Sequence, residues 1–369
     1  MRFRDNNLFI NTVLLGGTTE EKIRAAAEAG FGQIEIWRQD IEAAGGNPAE
    51  IARQLKHHSL GLTDYQVLLD IDGAPDGMQK QKRKEALAML DIAVALGATT
   101  LLAPASTHPD CIAERETDDL YWLAREAAKR DLRVAFEAMA WSTHINTTNA
   151  AWRCVEQINE PNLGLVTDAF HIFARNRTVA DLAGIPMNKI FLVQLSDLQA
   201  LPTSEEVKET ARHHRLLPGE GNFPLQSLLN YLAANRYSGP LGLEVFSDML
   251  SHKPPREVAG EAMQALRMRS LGPIKRLIPQ NGRPMHNAPL RQIVGVGVVL
   301  GDAVIPDGDI VRLPAPAHLK FRLCNMGKQK VQQCLTLFFA QFDNPRGKAF
   351  VNKQRLFAAD RMGTHDRVE

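Results

Sequence analysis

The sequence predicts a (β/α)8 TIM barrel followed by a short C-terminal appendage, and three observations carry that prediction. Short apolar, β-branched runs alternate with longer amphipathic segments as far as about residue 270, eight such pairs can be counted, and the composition changes just beyond them. Eight βα units running one way close more naturally into a barrel than they spread into a wide sheet, with doubly wound topology as the alternative. The 369 residues exceed a single barrel of roughly 250 residues, which leaves room for an appendage.

The strand segments, in order, are LFINTVLL from Leu8, QIEIW from Gln33, LGLTDYQ from Leu60 and TTLLAP from Thr99. RVAFEA from Arg133, LGLVTD from Leu163, IFLVQLS from Ile190 and LGLEVFS from Leu241 complete the set. A helical segment follows each. TTEEKIRAAAEAG, from Thr18, shows how such a helix starts and stops: Thr19 is placed to cap, acidic residues enter the first turn, and Gly30 ends it. The stretch Gln79 to Leu96 repeats the amphipathic form. Residues 1–272 are thus read as the barrel. Proline, glycine and basic residues then dominate, so residues 273–292 read as a linker and 293–369 as an appendage of unassigned role. Within it IVGVGVVLGDAVI, from Ile293, has β character. A dimerisation arm or a poorly ordered segment ranks above an independent functional domain.

Hydrophobic residues make up 44% and charged residues 23% of the chain, the balance of a folded globular protein. Lysine and arginine number 43 against 42 acidic residues, so no net field favours nucleic acid or an anionic membrane, and a small molecule is the expected partner. The four cysteines form no CxxC pair, which suits a reducing compartment. The N-terminal segment lacks a signal-peptide pattern and no stretch reaches membrane-spanning length, so a cytoplasmic setting is expected.

Side chains at the C-terminal ends of barrel strands share one mouth. Glu137, Asp168, Gln194 and Glu244 occupy such positions on strands five to eight. Neighbouring strands lie roughly 4.8 Å apart, so these four can converge on one ion. Taken singly, each could cap a helix or pair with a lysine. Together, three carboxylates repel one another unless a cation neutralises them. An all-oxygen set argues for Mg²⁺ or Mn²⁺, and admits Co²⁺, ahead of a thiolate-seeking ion.

FEAMAWSTHINTTNAAW from Phe136, VTDAFHIF from Val166, FLVQLSD from Phe191, RHHRLLPGEGNF from Arg212 and GPLGLEVF from Gly239 resemble the sugar-phosphate isomerase and epimerase superfamily with its xylose-isomerase-like barrel. Within it the sequence most resembles bacterial 3-dehydroshikimate dehydratases, over roughly residues 8–270. Many isomerases of the superfamily have histidine as third ligand where the dehydratases carry glutamine, and this chain has Gln194. The resemblance implies Glu137, Asp168, Gln194 and Glu244 as metal ligands and places His171 and Arg215 in the substrate pocket. It implies a lyase that converts 3-dehydroshikimate to protocatechuate through a metal-stabilised enolate. There is one departure. The dehydratases have an arginine-bearing stretch after strand three, resembling FQPFRDFEG, where this chain reads YQVLLDIDG from Tyr65, with Leu69 at the arginine position. That loss counts against a carboxylate substrate unless Arg212 or Arg215 replaces the contact.

His171, three residues past Asp168, is the first choice for proton transfer, with a structural hydrogen bond as its alternative. Glu35, His144, Arg212 and His214 are read as substrate contacts; for Glu35 the competing account is a structural ion pair, for His144 a helix-entry bond. Arg212, His213, His214 and Arg215 belong to a loop suited to closing over an anionic substrate, or to a solvated basic loop. His57 and His58 are expected at the surface. Rival readings are a metal-dependent isomerase or epimerase of a ketose, sugar phosphate or ketoinositol, and a non-catalytic metabolite-binding barrel. DAFH also resembles barrel endonucleases, whose histidine-rich zinc cluster this chain does not match. Some relatives carry a second half resembling hydroxyphenylpyruvate dioxygenase; His286, His318 and Glu369 form no ligand pattern, and no iron site is expected. A homo-oligomer is compatible with everything above.

Overall fold

In the computed structural model, the described residues are 3 and 5–270. The expectations for the linker at 273–292 and the appendage at 293–369 lie outside them.

Eight parallel strands close into a barrel in sequence order: β1 (Leu8–Asn11), β2 (Gln33–Trp37), β3 (Gly61–Gln66), β4 (Thr100–Pro104), β5 (Arg133–Glu137), β6 (Leu163–Asp168), β7 (Ile190–Leu195) and β8 (Leu241–Leu243). β1 pairs with both β2 and β8, which closes the ring. Among the helices outside it are α1 (Thr19–Ala29), α2 (Arg38–Ala43), α3 (Pro48–His57), α4 (Asp76–Leu96), α5 (Ala113–Ala128) and α6 (Thr148–Ile158). They are followed by α7 (Ala169–Phe173), α8 (Val207–His213), α9 (Leu225–Ala234), α10 (Asp248–Ser251) and α11 (Pro255–Ser270). No helix among the described residues is long and apolar enough to cross a membrane.

Two local differences from the sequence reading have clear causes. The first strand stops at Asn11 because the Asn11 side chain accepts from the Val13 N–H and turns Thr12–Leu14 into a 3₁₀ turn. The cap of α1 is Thr18, not Thr19. Thr18 accepts from the Glu21 N–H while the Glu21 carboxylate accepts from the Thr18 N–H, a reciprocal capping box. Thr19 instead turns inward and donates to the Asp40 carbonyl. Gly30 ends α1 in the left-handed region, as expected.

The strand period of two sorts the core into layers. Ile10, Ile34, Leu101, Val134, Leu165 and Val193 pack with the helices. Phe9, Leu102, Ala135, Val166 and Leu192 form a separate cluster that contains no helix residue, and so fill the barrel's interior. One period further along, on the same inward face, stand Asn11, Glu137, Asp168 and Gln194. On β8 the interior residue is Gly242, where a Cβ would collide with the Phe9 ring; two residues on, just past the strand's end, stands Glu244. A polar layer therefore lies directly over an apolar one.

Candidate metal centre

Glu35, Asp64, Glu137, Asp168, Gln194, Arg215 and Glu244 are all buried in this polar layer. Glu35, Asp64, Glu137, Asp168 and Gln194 are placed by their strands, and Glu244 lies just past the end of β8. The pairing of β2 with β3 sets Glu35 beside Asp64, and that of β6 with β7 sets Asp168 beside Gln194. Across the barrel, Gln194 Nε2 donates to Glu35 Oε1 at 2.9 Å and to Glu244 Oε1 at 3.4 Å. Asn11, at the end of β1, donates to Glu244 Oε1 at 3.1 Å. Arg215 reaches in from the segment after α8: Nη1 lies 2.8 Å from Asp168 Oδ2 and 3.2 Å from Glu244 Oε2, and Nε donates to the Ala211 carbonyl. Its guanidinium also lies over the Phe170 and Phe246 rings.

Asp168 has a second task. Its Oδ1 accepts from the Phe170 N–H at 2.7 Å, capping α7, whose single turn brings His171 back over the strand end. His171 Nε2 then lies 3.6 Å from Asp168 Oδ2 and 3.7 Å from Glu137 Oε1. Its other nitrogen, Nδ1, accepts from the Ala140 N–H at 2.9 Å. That bond fixes the neutral ring with its proton on Nε2, facing the carboxylates. Burial, aided by Arg215 and Arg177, holds His171 well below the usual histidine range.

Five buried carboxylates thus face one arginine, and their proton affinities rise accordingly. Burial, then the Glu244 and Asp168 carboxylates, hold Glu137 well above the ordinary range. Burial pushes Glu244 up to about 8 although Arg215 opposes it, and raises Asp168 against the same guanidinium. Glu35 is raised by burial and by Asp64; Asp64 is pushed by burial up to about 7. Glu35 Oε2 and both Asp64 carboxyl oxygens are buried without a hydrogen-bond partner, which favours the uncharged form of each.

The donor set fits a hard divalent cation. Glu137 Oε1 and Gln194 Oε1 are buried with no hydrogen-bond partner. An unsatisfied buried oxygen costs about 1–3 kcal/mol, more for a charged one, and a cation among these oxygens would satisfy both atoms and offset the carboxylate repulsion.

Of the other residues expected here, His144 Nδ1 is hydrogen-bonded to Glu116 at 2.7 Å. Arg212 and His214 are exposed. Arg212 and His213 form the last turn of α8 and not a loop, and the segment after it is tied down: Arg215 N–H donates to the Phe246 carbonyl, and the Asp197 carboxylate accepts from the N–H groups of Gly219 and Phe223, both at 2.8 Å. Leu69 is 46% exposed, and its carbonyl accepts from Lys82. Asn11 and Asp64 also belong to the layer and are not among the residues the sequence singles out; the β2–β3 register shift brings Asp64 beside Glu35.

Asp64 makes the metal-free protein sensitive to pH. A folded-state value of about 7 against roughly 3.9 in the unfolded chain means that between these limits the folded form holds a proton the unfolded form has lost. Its contribution is complete below about pH 4 and is lost as the pH rises through about 7. In chelator-treated Asp64→Asn, the fall in urea midpoint from pH 5 to 7.5 is expected to be smaller than in the parent. Equal falls would show that Asp64 does not carry this proton.

The chain belongs to the xylose isomerase-like TIM barrel family, whose model matches residues 23–269. It is 35% identical over 259 residues to a 3-dehydroshikimate dehydratase of Pseudomonas aeruginosa and 32% identical over 259 residues to one of Pseudomonas putida. Both matches cover 70% of this chain and 40% of the relative, so the chain spans less than half the length of these curated relatives. Among solved structures it is similar to a xylose isomerase-like TIM barrel/4-hydroxyphenylpyruvate dioxygenase fusion protein. The TM-score is 0.69 at 30% identity, over 74% of this chain and 45% of that one.

Proposed function

We infer that this chain is a divalent-metal-dependent lyase that removes water from 3-dehydroshikimate to give protocatechuate. The observation that carries the reading is the buried oxygen ring at the ends of β5 to β8, with Glu137 Oε1 and Gln194 Oε1 left without partners. The similarity to two 3-dehydroshikimate dehydratases over 259 residues supports the choice of substrate.

Glu137, Asp168, Gln194 and Glu244 would hold the ion, Mg²⁺ or Mn²⁺ with Co²⁺ as a further fit. When bound, it would serve as a Lewis acid toward the substrate's carbonyl and offset the negative charge that develops when the neighbouring C–H proton leaves. Arg215 opposes the rise in proton affinity of Asp168 and Glu244 and, through its hydrogen bonds to both, holds them turned toward the mouth. His171 Nε2–H is set to donate a hydrogen bond to a substrate oxygen on which charge grows. Because Nδ1 is occupied by the Ala140 N–H, the ring is poorly placed to remove a proton. Of the two roles open to His171 in the sequence, donation is therefore the one we assign. Glu35, whose Oε2 has no partner, offers a contact for a substrate hydroxyl, and exposed Arg212 is the cation we assign to the substrate carboxylate. The sparse cysteines fit a cytoplasmic setting.

A second reading, isomerisation or epimerisation of a ketose or ketoinositol, is favoured by Leu69, which puts an apolar side chain where the dehydratases are expected to carry an arginine. One experiment separates the two. Metal-stripped protein is mixed with 3-dehydroshikimate, with and without Mg²⁺, Mn²⁺ or Co²⁺, and the ultraviolet spectrum is followed. Metal-dependent growth of protocatechuate absorbance is expected; no product despite measurable metal binding would move the assignment to the isomerase.

A further inference from the structure

A second group of ligating side chains lies in the loops on the same end of the barrel as the ring, and the proposed reaction makes no use of it. Cys111 sits in the segment between β4 and α5, Glu116 in the first turn of α5, and His144 in the loop after β5. One ligand atom from each lies within 4.8 Å of the other two. Cys111 Sγ is 3.5 Å from Glu116 Oε1, and His144 Nδ1 is 2.7 Å from that same oxygen.

A fourth group borders them. Asp72, in the loop between β3 and α4, offers its carbonyl to Cys111 Sγ at 3.5 Å, and its carboxylate lies in electrostatic range of Glu116. Asp72 is 1% exposed; its Oδ2 accepts from the Ser106 N–H at 3.0 Å, while Oδ1 is buried with no partner. Among the described residues, no lysine or arginine forms an ion pair with Asp72 or Glu116. His144 is the one basic side chain in contact with Glu116. Two buried carboxylates with so little compensation are expensive, and the oxygen without a partner adds to the cost.

We propose that Cys111, Glu116 and His144 form a second metal site, with Asp72 beside it, that takes Zn²⁺ and ties the β4–α5 connection to the loop after β5 at the rim of the barrel mouth. The donors decide the metal. Thiolate, imidazole and carboxylate together suit the borderline-soft Zn²⁺, whereas the ring below contains no sulfur and suits a harder ion. Bonds of about 2.0–2.3 Å in a tetrahedron place ligand atoms roughly 3.3–3.7 Å apart. The present Cys111–Glu116 separation already matches. His144 must retreat from Glu116 by under about 1 Å, which a half-exposed side chain on a loop can do. On binding, the Cys111 S–H bond breaks, sulfur keeps the electron pair for the metal, and the proton leaves to solvent.

Cobalt tests this without reference to activity. Chelator-stripped full-length protein is titrated with Co²⁺, and the thiolate-to-cobalt charge-transfer band in the near ultraviolet is recorded. The ring contains no thiolate, so the band reports only a cysteine-bearing site. It is expected to saturate at one equivalent of this site in the parent and to persist in Glu137→Gln, Cys324→Ser and Cys334→Ser. It should vanish in Cys111→Ser, while the exposed substitution His144→Ala weakens Zn²⁺ binding at least tenfold, with circular dichroism unchanged in both. No band in the parent, or a band that survives Cys111→Ser, overturns the proposal. So does Zn²⁺ binding that His144→Ala leaves intact, since the contacts would then be only a hydrogen-bond network.

Discussion

Glu137→Gln is expected to lower metal-dependent turnover by about 10²–10³-fold, on the scale of losing a preorganised electrostatic contact, without unfolding the barrel. The choice of residue matters. Asp168 both caps α7 and accepts from Arg215, so Asp168→Asn would mix loss of a ligand with loss of local structure. Glu137 Oε1 has no partner to lose, and burial already favours the uncharged form of this side chain. The neutral amide should therefore leave metal-free stability unchanged or slightly improved, most visibly at alkaline pH. The metal response should be lost instead. A ligand at a hundred times its Kd stabilises the native state by about 2.7 kcal/mol, roughly 5–10 °C in a domain of this size. Differential scanning fluorimetry with and without Mn²⁺ should show that shift in the parent and little or none in Glu137→Gln. An undiminished shift together with undiminished turnover would remove Glu137 from the site.

Much of this centre is legible in the sequence because a parallel barrel reduces it to one rule. Apolar interior residues are followed two positions later by whatever the mouth presents, so Ala135 leads to Glu137, Val166 to Asp168 and Leu192 to Gln194. The rule fails where the period is interrupted. Between Ile34 and Glu35 the β2–β3 register shifts, so Asp64 comes to lie beside Glu35 at a position that simple alternation along LGLTDYQ does not single out. Asn11 was hidden for another reason: the apolar run continues through Val13 to Leu15, and only the side-chain cap on Val13 reveals that the strand has already ended.

The loops were the least legible part, since their geometry is set by partners distant in sequence. His144 sits near Glu137 in the chain, yet Glu116, across the β4–α5 connection, holds it through a hydrogen bond. The basic run from Arg212 to Arg215 reads as a uniform surface loop. The fold splits it, leaving Arg212 and His214 in solvent and burying Arg215 to 2% exposure. Nothing in the run marks Arg215 as the buried member. What distinguishes it is the Phe246 carbonyl that fixes its backbone and the two carboxylates that await its side chain.

Arg215→Ala should therefore be the most damaging single change for the metal-free fold, at about 3–5 kcal/mol, because it strips the counter-charge from two buried carboxylates. A competing effect limits the loss. Glu244, already pushed up to about 8 with the guanidinium beside it, will rise further without it, and taking up a proton removes part of the repulsion. The penalty should accordingly be modest near pH 6 and grow toward pH 9, where keeping that proton costs more. Arg215→Lys should recover only part of the loss, since one ammonium on a flexible stem cannot hold Asp168, Glu244 and the Ala211 carbonyl in the planar arrangement of a guanidinium. Saturating Mn²⁺ should recover more of it by supplying the missing positive charge. Urea midpoints of the parent, Arg215→Ala and Arg215→Lys at pH 6, 7.5 and 9, with chelator or with Mn²⁺, resolve all three expectations. A penalty independent of both pH and metal would mean that Arg215 holds the barrel through its packing on Phe170 and Phe246 and not through its charge.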